Sequence, residues 1–273
     1  MVQYGFVLPG GTPRELVERG VLAEEAGWDA VFTFETAYGP DAWTVLAAIA
    51  ERTTRIRLGT MLTPLPWRRP WKVASQVATL DQLSNGRAML AVGLGATDMG
   101  SPGPPDVTDR RARADLLDEG LDLIDALWSG ELSYAGEQFQ FDITEGPIGP
   151  FTPVQRPRPP IWVVGAWERA RSMRRVLRCD GLLPNVMDPD FRMATPDDVR
   201  AMVAWLRAHD APADFDVIME GETPNDPDAA AEVVAPWADA GCTWWIEARW
   251  VVAEGLDHGQ VVQERILAGP PRG

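Results

Sequence analysis

RIRLGTMLTPLPWRRPWKVASQVATLDQLSNGRAMLAVGLG, residues 55–95, decides the fold. Two apolar runs, 56–62 and 88–93, have the composition of strands, and between them a helix is predicted from Pro70 to the turn Ser84-Asn85-Gly86. A crossover of this length joins parallel strands, because a short turn can only reverse the chain. In parallel α/β architectures the chemistry collects where strands end, which here means 60–64 and 93–98.

Outward from that unit the pattern repeats. Residues 4–8 form a first strand, after which Thr12-Pro13-Arg14-Glu15 combines a capping threonine, a proline at the first helical position and a glutamate three residues past the cap. Leu16, Val17, Gly20, Ala23 and Ala26 make the inner face of that helix, and Gly27 ends it. A second strand covers 28–34, and Asp41 opens a helix through Thr53. Beyond residue 95 a long helix spans 108–130, with Leu117, Leu121, Ile124 and Trp128 at helical spacing. Residues 131–160 read as an insertion, with a small hairpin at 134–139 and an extended proline-rich strap at 147–160. Strands follow at 161–164, 180–183, 215–219 and 243–247, each trailed by a helix, at 166–178, 195–209, 227–240 and 256–267.

Eight strands in strict alternation with eight helices predict a (β/α)8 TIM barrel, a single domain over 1–273 with a short insertion before strand five. A doubly wound open sheet is the rival. The glycines at 93, 95 and 100 have the wrong spacing for its dinucleotide motif and run into Ser101-Pro102-Gly103-Pro104-Pro105, not a helix.

Composition narrows the function classes. The 40 acidic and 25 basic side chains leave a net charge of −15, which argues against nucleic acid or an anionic membrane surface as partner. No apolar run is long enough to span a bilayer, and the start MVQYGFVLPGG reads as a strand rather than a signal peptide, so a cytoplasmic location is expected. Cys179 and Cys242 are too few and too far apart for a disulfide framework or a zinc site and are expected as buried thiols.

LGTMLTP at the end of strand three, ATLDQLSNGRAMLAVGLG across strand four, DEGLDLIDALWSGE, PVQRPRPPIWVVGA and AGCTWWIEAR together resemble the bacterial luciferase-like monooxygenases, over nearly the whole chain and in matching order. That resemblance implies a flavin- or deazaflavin-dependent oxidoreductase on an α/β barrel, with the cofactor ring at the barrel mouth. The matching ring-binding positions are Thr60, Met61, Leu62 and Thr63, and Gly95 and Ala96 on to Asp98. It also implies a non-prolyl cis peptide within Met61-Leu62-Thr63, and a homodimer to which Trp67 and Trp71 contribute.

A site for the cofactor's anionic tail is suggested independently. Thr12, Asp41, Thr108, Thr195 and Asp226 each cap a helix, whereas the helix after strand five starts from Val164-Gly165-Ala166-Trp167 with no cap. Free N–H groups there, a glycine that admits an anion and Arg169 in the first turn make Gly165, Ala166, Trp167 and Arg169 the candidates. The ends of strands seven and eight carry Glu220, Glu222 and Glu247, which repel an anion, with Arg249 offsetting one of them.

For proton transfer the strand ends offer Glu35 and Asp98. Relatives often place a histidine after strand two, but His209 and His258 fall on late outer helices, which also argues against a metal site. Tyr38 and Trp43 are further candidates for the mouth, while Trp244 and Trp245 read as core. The expected cofactor is FMN or coenzyme F-420, with NAD(P)H as a possible reductant and a small organic molecule as substrate. Because no arginine is seen to follow Gly93-Leu94-Gly95 and contact a flavin phosphate, the balance tilts slightly to F-420 or to weak, exchangeable FMN. The alternatives are a flavin-binding barrel without turnover and a cofactor-free barrel hydrolase or isomerase.

Overall fold

The structure is a computed structural model in which residues 1–36, 38–96, 109–147, 149–187 and 192–271 are described. Its elements are β1 (Gln3–Val7), α1 (Pro13–Glu25), β2 (Ala30–Thr33), α2 (Ala42–Ala50), β3 (Arg57–Pro64), a 3-10 turn (Leu65–Trp67), α3 (Pro70–Leu83), β4 (Ala88–Gly93) and α4 (Arg110–Ser129). There follow β5 (Ser133–Ala135), β6 (Gln140–Asp142), β7 (Ile161–Trp167), α5 (Ala170–Val176), β8 (Gly181–Val186), α6 (Pro196–Ala208), β9 (Asp216–Gly221), α7 (Pro227–Ala240), β10 (Trp244–Ala248) and α8 (His258–Leu267). Eight strands close a parallel barrel in the order β1-β10-β9-β8-β7-β4-β3-β2, and β5 and β6 pair separately as an antiparallel hairpin.

Local chemistry explains the element starts. Thr12 and Glu15 form a reciprocal capping box at α1, and Thr195 and Asp198 form another at α6. Asp41, Asp226 and Asp257 cap α2, α7 and α8. The cap of α4 is Asp109, whose Oδ1 accepts from Ala112 N at 2.8 Å; Thr108, the expected cap, lies outside the described residues.

Two boundaries differ from expectation in ways that matter for the site. β3 runs on to Pro64 through an irregularity between Thr60 and Thr63, and the Met61-Leu62 peptide within it is cis, as the resemblance implied. β7 continues through Gly165, Ala166 and Trp167, which pair with Pro184, Asn185 and Val186 of β8. The helix expected from Ala166 therefore begins at Ala170, because the 164–167 backbone is taken up by the sheet.

The core has two shells, as side-chain alternation in a barrel requires. Phe6, Val31, Leu58, Leu90, Val163 and Leu182 face outward to the helices. Inside the barrel Phe32, Met89, Trp162, Ile218, Trp244 and Ile246 interdigitate. At the amino-terminal end the indoles of Trp162 and Trp244 each donate to Asp216 at 3.0 Å, Thr243 Oγ1 donates at 3.1 Å, and both tryptophans are at most 1% exposed. Burial raises the Asp216 carboxyl, while these hydrogen bonds and nearby Arg57 pull the other way.

The insertion is pinned by carboxylates. Glu119 of α4 accepts from the backbone N–H groups of Glu137, Gln138 and Phe139 at the hairpin turn, at 2.7 to 3.0 Å, while Trp71 packs against Phe139 and Phe141. Asp81 of α3, fully buried, accepts from Val154 N and Gln155 N of the strap at 2.6 and 2.9 Å. Cys179 and Cys242 are free and buried, and burial pushes both thiols up to about 12, so neither is a nucleophile at neutral pH. Among the described residues no helix is long and apolar enough to cross a membrane.

Candidate active site

The carboxyl ends of the barrel strands surround a cavity of about 930 Å³. β3 and the turn after it contribute Met61, Leu62, Pro64 and Trp67; the segment after β4 contributes Leu94, Gly95 and Ala96; β7 contributes Val164 and Ala166. Gly95 has a φ of 77°, and a Cβ there would lie 2.8 Å from Trp67 Cζ2 and 2.9 Å from Pro64 Cβ. Only glycine lets this loop close against Trp67, which forms part of the cavity wall.

The expected ring-binding residues divide into two layers. Met61, Leu62, Gly95 and Ala96 line the cavity, whereas Thr60 and Thr63 are fully buried beneath it, their hydroxyls 2.9 Å apart. Thr63 Oγ1 donates to Glu35 Oε1 at 2.6 Å, Trp43 Nε1 donates to the same oxygen at 2.7 Å, and Arg68 pairs with Glu35 Oε2. Arg68 is itself held by Gln76 Oε1 at 2.7 Å. With a side chain only 8% exposed and three donors upon it, Glu35 ties the end of β2 to β3 and to the turn after it. Tyr38 reaches the cavity; Trp43 reaches only Glu35. Asp98 lies outside the described residues.

Of the expected tail-binding group, Ala166 alone lines the cavity. A Cβ on Gly165 would overlap Leu182 Cδ1 and press on Val176 Cγ2 at 3.0 Å, so this glycine permits β7 to pack under α5. Trp167 stands edge-on to Trp205, and Arg169 is exposed at the start of α5. That helix does lack a side-chain cap, but so does α3, and the Ala166 N–H is claimed by Ser172 Oγ at 2.9 Å.

Positive charge comes instead from α4. Arg110 and Arg113, one turn apart on the same helical face, both line the cavity. Arg113 is 7% exposed; its Nη1 donates to the carbonyls of Leu94 and Gly95 at 3.3 and 2.7 Å, and its buried Nε has no hydrogen-bond partner. Arg110 contacts Met187 Sδ at 3.4 Å. Among the described residues neither has a carboxylate partner, which stands out in a chain of net charge −15. The expectation that no arginine follows Gly93-Leu94-Gly95 toward a phosphate overlooked both; the readable signal was the Arg-x-x-Arg spacing in the first turn of the helix. Asn185 and Trp250 on the cavity wall were also missed.

The acids expected to repel an anion near β9 and β10 are distributed differently. Glu247 is fully buried, accepting from Thr223 N and Oγ1 at 3.1 and 2.6 Å and flanked by Arg249 and Arg265 at 3.0 and 3.5 Å. Glu222 pairs with Arg249 at 3.0 Å. His209 stacks on Trp205 and His258 meets the Arg249 carbonyl, and among the described residues no cluster could hold a metal ion.

A closed parallel barrel with a broad apolar cavity at the carboxyl ends of its strands defines the class of barrel enzymes that act on small molecules. The chain belongs to the luciferase-like monooxygenase family, whose pattern it matches over residues 2–259. It is 31% identical over 154 residues to the oxygenase component of a flavin-dependent trigonelline monooxygenase from Acinetobacter baylyi, covering 55% of this chain and 42% of that one. It is 30% identical over 258 residues to an F-420-dependent glucose-6-phosphate dehydrogenase from Intrasporangium calvum, covering 85% of this chain and 72% of that one. In fold it is similar to the monooxygenase RslO1 of Streptomyces bottropensis, with a TM-score of 0.74 at 20% identity and 98% of each chain covered. The chain spans about half the length of the first curated relatives it matches.

Proposed function

We propose that this protein is an oxidoreductase that uses FMN or coenzyme F-420 at the barrel mouth to carry out hydride transfer or oxygen insertion on a small organic substrate. The observation that carries the reading is the cavity itself, apolar on its β3, β4 and β7 walls with two arginines at one side that have no carboxylate partner among the described residues. Both cofactors are a flat aromatic ring with a phosphate-bearing tail, and such walls and charges fit both parts. Met61, Leu62, Trp67, Val164 and Ala166 would hold the ring and keep water from it, and Arg110 and Arg113 the anion. When bound, the cofactor supplies the redox chemistry; the chain orients it and controls solvent access.

The slight tilt to F-420 rested on a missing arginine, and Arg110 and Arg113 remove that ground, so the two cofactors stand level. NAD(P)H as the source of reducing equivalents and a homodimer remain part of the proposal. So do Glu35 and Asp98 as acids of the site. The triple engagement of Glu35 favours a role in shaping the Met61-Leu62 segment over release of a proton, and Asp98 is proposed on its sequence position alone.

Fluorescence titration of the purified protein with FMN, riboflavin and F-420, followed by reoxidation of each reduced cofactor in air, tests the reading. Arg113→Leu is expected to weaken FMN at least tenfold, about 1.4 kcal/mol, while leaving riboflavin, which lacks the phosphate, within twofold. Binding without turnover favours a non-catalytic flavin barrel. Absence of binding by FMN and F-420 alike sinks the proposal.

A further inference from the structure

Glu220 ends the inward row of β9. Asp216, in the same row, meets the indoles of Trp162 and Trp244 inside the barrel, and Ile218 belongs to the interior cluster, whereas Val217 and Met219 pack outward. Alternation therefore turns Glu220 inward, one layer above Ile218 at the cavity end. In the ring of strands β9 lies four places from β3, so Glu220 stands on the side of the barrel opposite Met61 and Leu62; it borders the cavity through Trp250 and is not itself one of the lining residues.

One partner holds it. Trp250 Nε1 donates to Glu220 Oε1 at 2.7 Å, and Trp250 lines the cavity with its ring edge-on to Phe34, centroids 5.1 Å apart. The inward neighbours on β10 are Ile246 and Ala248, and those on β8 are Leu183 and Asn185, all uncharged. The nearest charged groups along the chain are engaged elsewhere: Glu222 with Arg249, and Glu247 with Thr223, Arg249 and Arg265. Glu35 with Arg68, and Arg110 with Arg113, occupy the β2 to β4 side. Burial pushes the Glu220 carboxyl up, and the Trp250 hydrogen bond offsets part of this. A carboxyl so placed keeps its proton to higher pH than an exposed one, and its second oxygen carries no protein hydrogen bond among the described residues.

We propose that Glu220 is the proton-exchanging acid of this site, serving a substrate held between the cofactor ring and Trp250. This rests on the flavin or deazaflavin reading above. In the step the Glu220 O–H bond breaks, its electron pair stays on the carboxylate, and the proton goes to an oxygen or nitrogen of the substrate; water restores the proton afterwards, and the reverse reaction runs the same path. Trp250 is a positioning residue, fixing the rotamer of Glu220 through the indole N–H.

The full chain, labelled with 13C at glutamate carboxyls, is titrated by NMR without cofactor. One resonance is expected to titrate above the ordinary glutamate value of 4.5, to be missing from Glu220→Gln, and to move further up in Trp250→Phe, because an N–H donor favours the carboxylate. With FMN or F-420 bound, the chromophore spectrum is expected to shift at the same midpoint in wild type and not in Glu220→Gln. Cofactor affinity should stay within threefold, and the pH-dependent spectral shift should return in part in Glu220→Asp. If wild type binds neither cofactor, the flavin reading falls and takes this proposal with it. If it binds and Glu220→Gln keeps the wild-type pH response, or if no glutamate titrates high, the acid assignment falls while the cofactor reading stands.

Discussion

Asp118 and Glu220 show how single carboxyl groups are set apart by what lies beside them. Burial alone would raise Asp118, but hydrogen bonds and charge from Arg175 and Arg171 of α5 outweigh it and hold the group below its ordinary 3.8. A carboxylate depressed in the native state adds stability that is present above the unfolded-state value and is lost as pH falls through the native one. Asp118→Asn leaves Arg175, 4% exposed, short of its charge partner and is expected to cost about 2–3 kcal/mol in urea unfolding at pH 7. That difference should shrink below pH 4, where the wild type's own carboxyl protonates. Glu220 carries the opposite sign: its raised native value means that stability declines as pH climbs from 4.5 through that value. Glu220→Gln keeps an acceptor for Trp250 and escapes this penalty. Its melting temperature should exceed wild type at pH 8 and converge with it in acid; a lower melting temperature at pH 8 would contradict the assignment.

At the level of elements, loops are fastened by carboxylates that accept from runs of backbone N–H groups. Glu119 does this for the β5 to β6 turn, Asp81 for the proline-rich strap, and Glu24 for Thr54, Arg55 and Ile56 before β3. Glu119→Ala frees three N–H groups of the hairpin turn, so amide exchange at Glu137, Gln138 and Phe139 is expected to accelerate at least tenfold with global stability changed by less than about 1 kcal/mol. Such element chemistry is largely legible in sequence. The capping box at Thr12, the boundaries of β4 and α7, and the alternation of strands and helices all depend on neighbours within a few residues. The site was legible only where it shares that property, as Met61, Leu62, Gly95 and Ala96 do at strand ends. Gly165 reads identically in sequence whether it admits an anion or close packing of neighbouring side chains, and only the fold brings Leu182 of β8 and Val176 of α5 against it. Arg110, Arg113 and Trp250 come to the cavity from a helix turn and a late loop, a placement that depends on barrel closure and not on local pattern.

For the molecule as a whole, closure between β1 and β10 turns two ends of a sheet into two unlike ends of a barrel. The amino-terminal end is filled by Trp162 and Trp244 around Asp216, with Arg57 nearby. Trp244→Phe removes one donor from that buried carboxyl and should cost about 1–3 kcal/mol in thermal or chemical unfolding, without weakening cofactor at the opposite end. The plug also dictates traffic. Among the described residues the plug closes the amino-terminal end, so what enters from the carboxyl end first would lie deepest and leave last. A cofactor seated as proposed against Met61 and Leu62 would then be trapped for as long as a second molecule sat above it, so the proposed function carries with it a fixed order of arrival and departure.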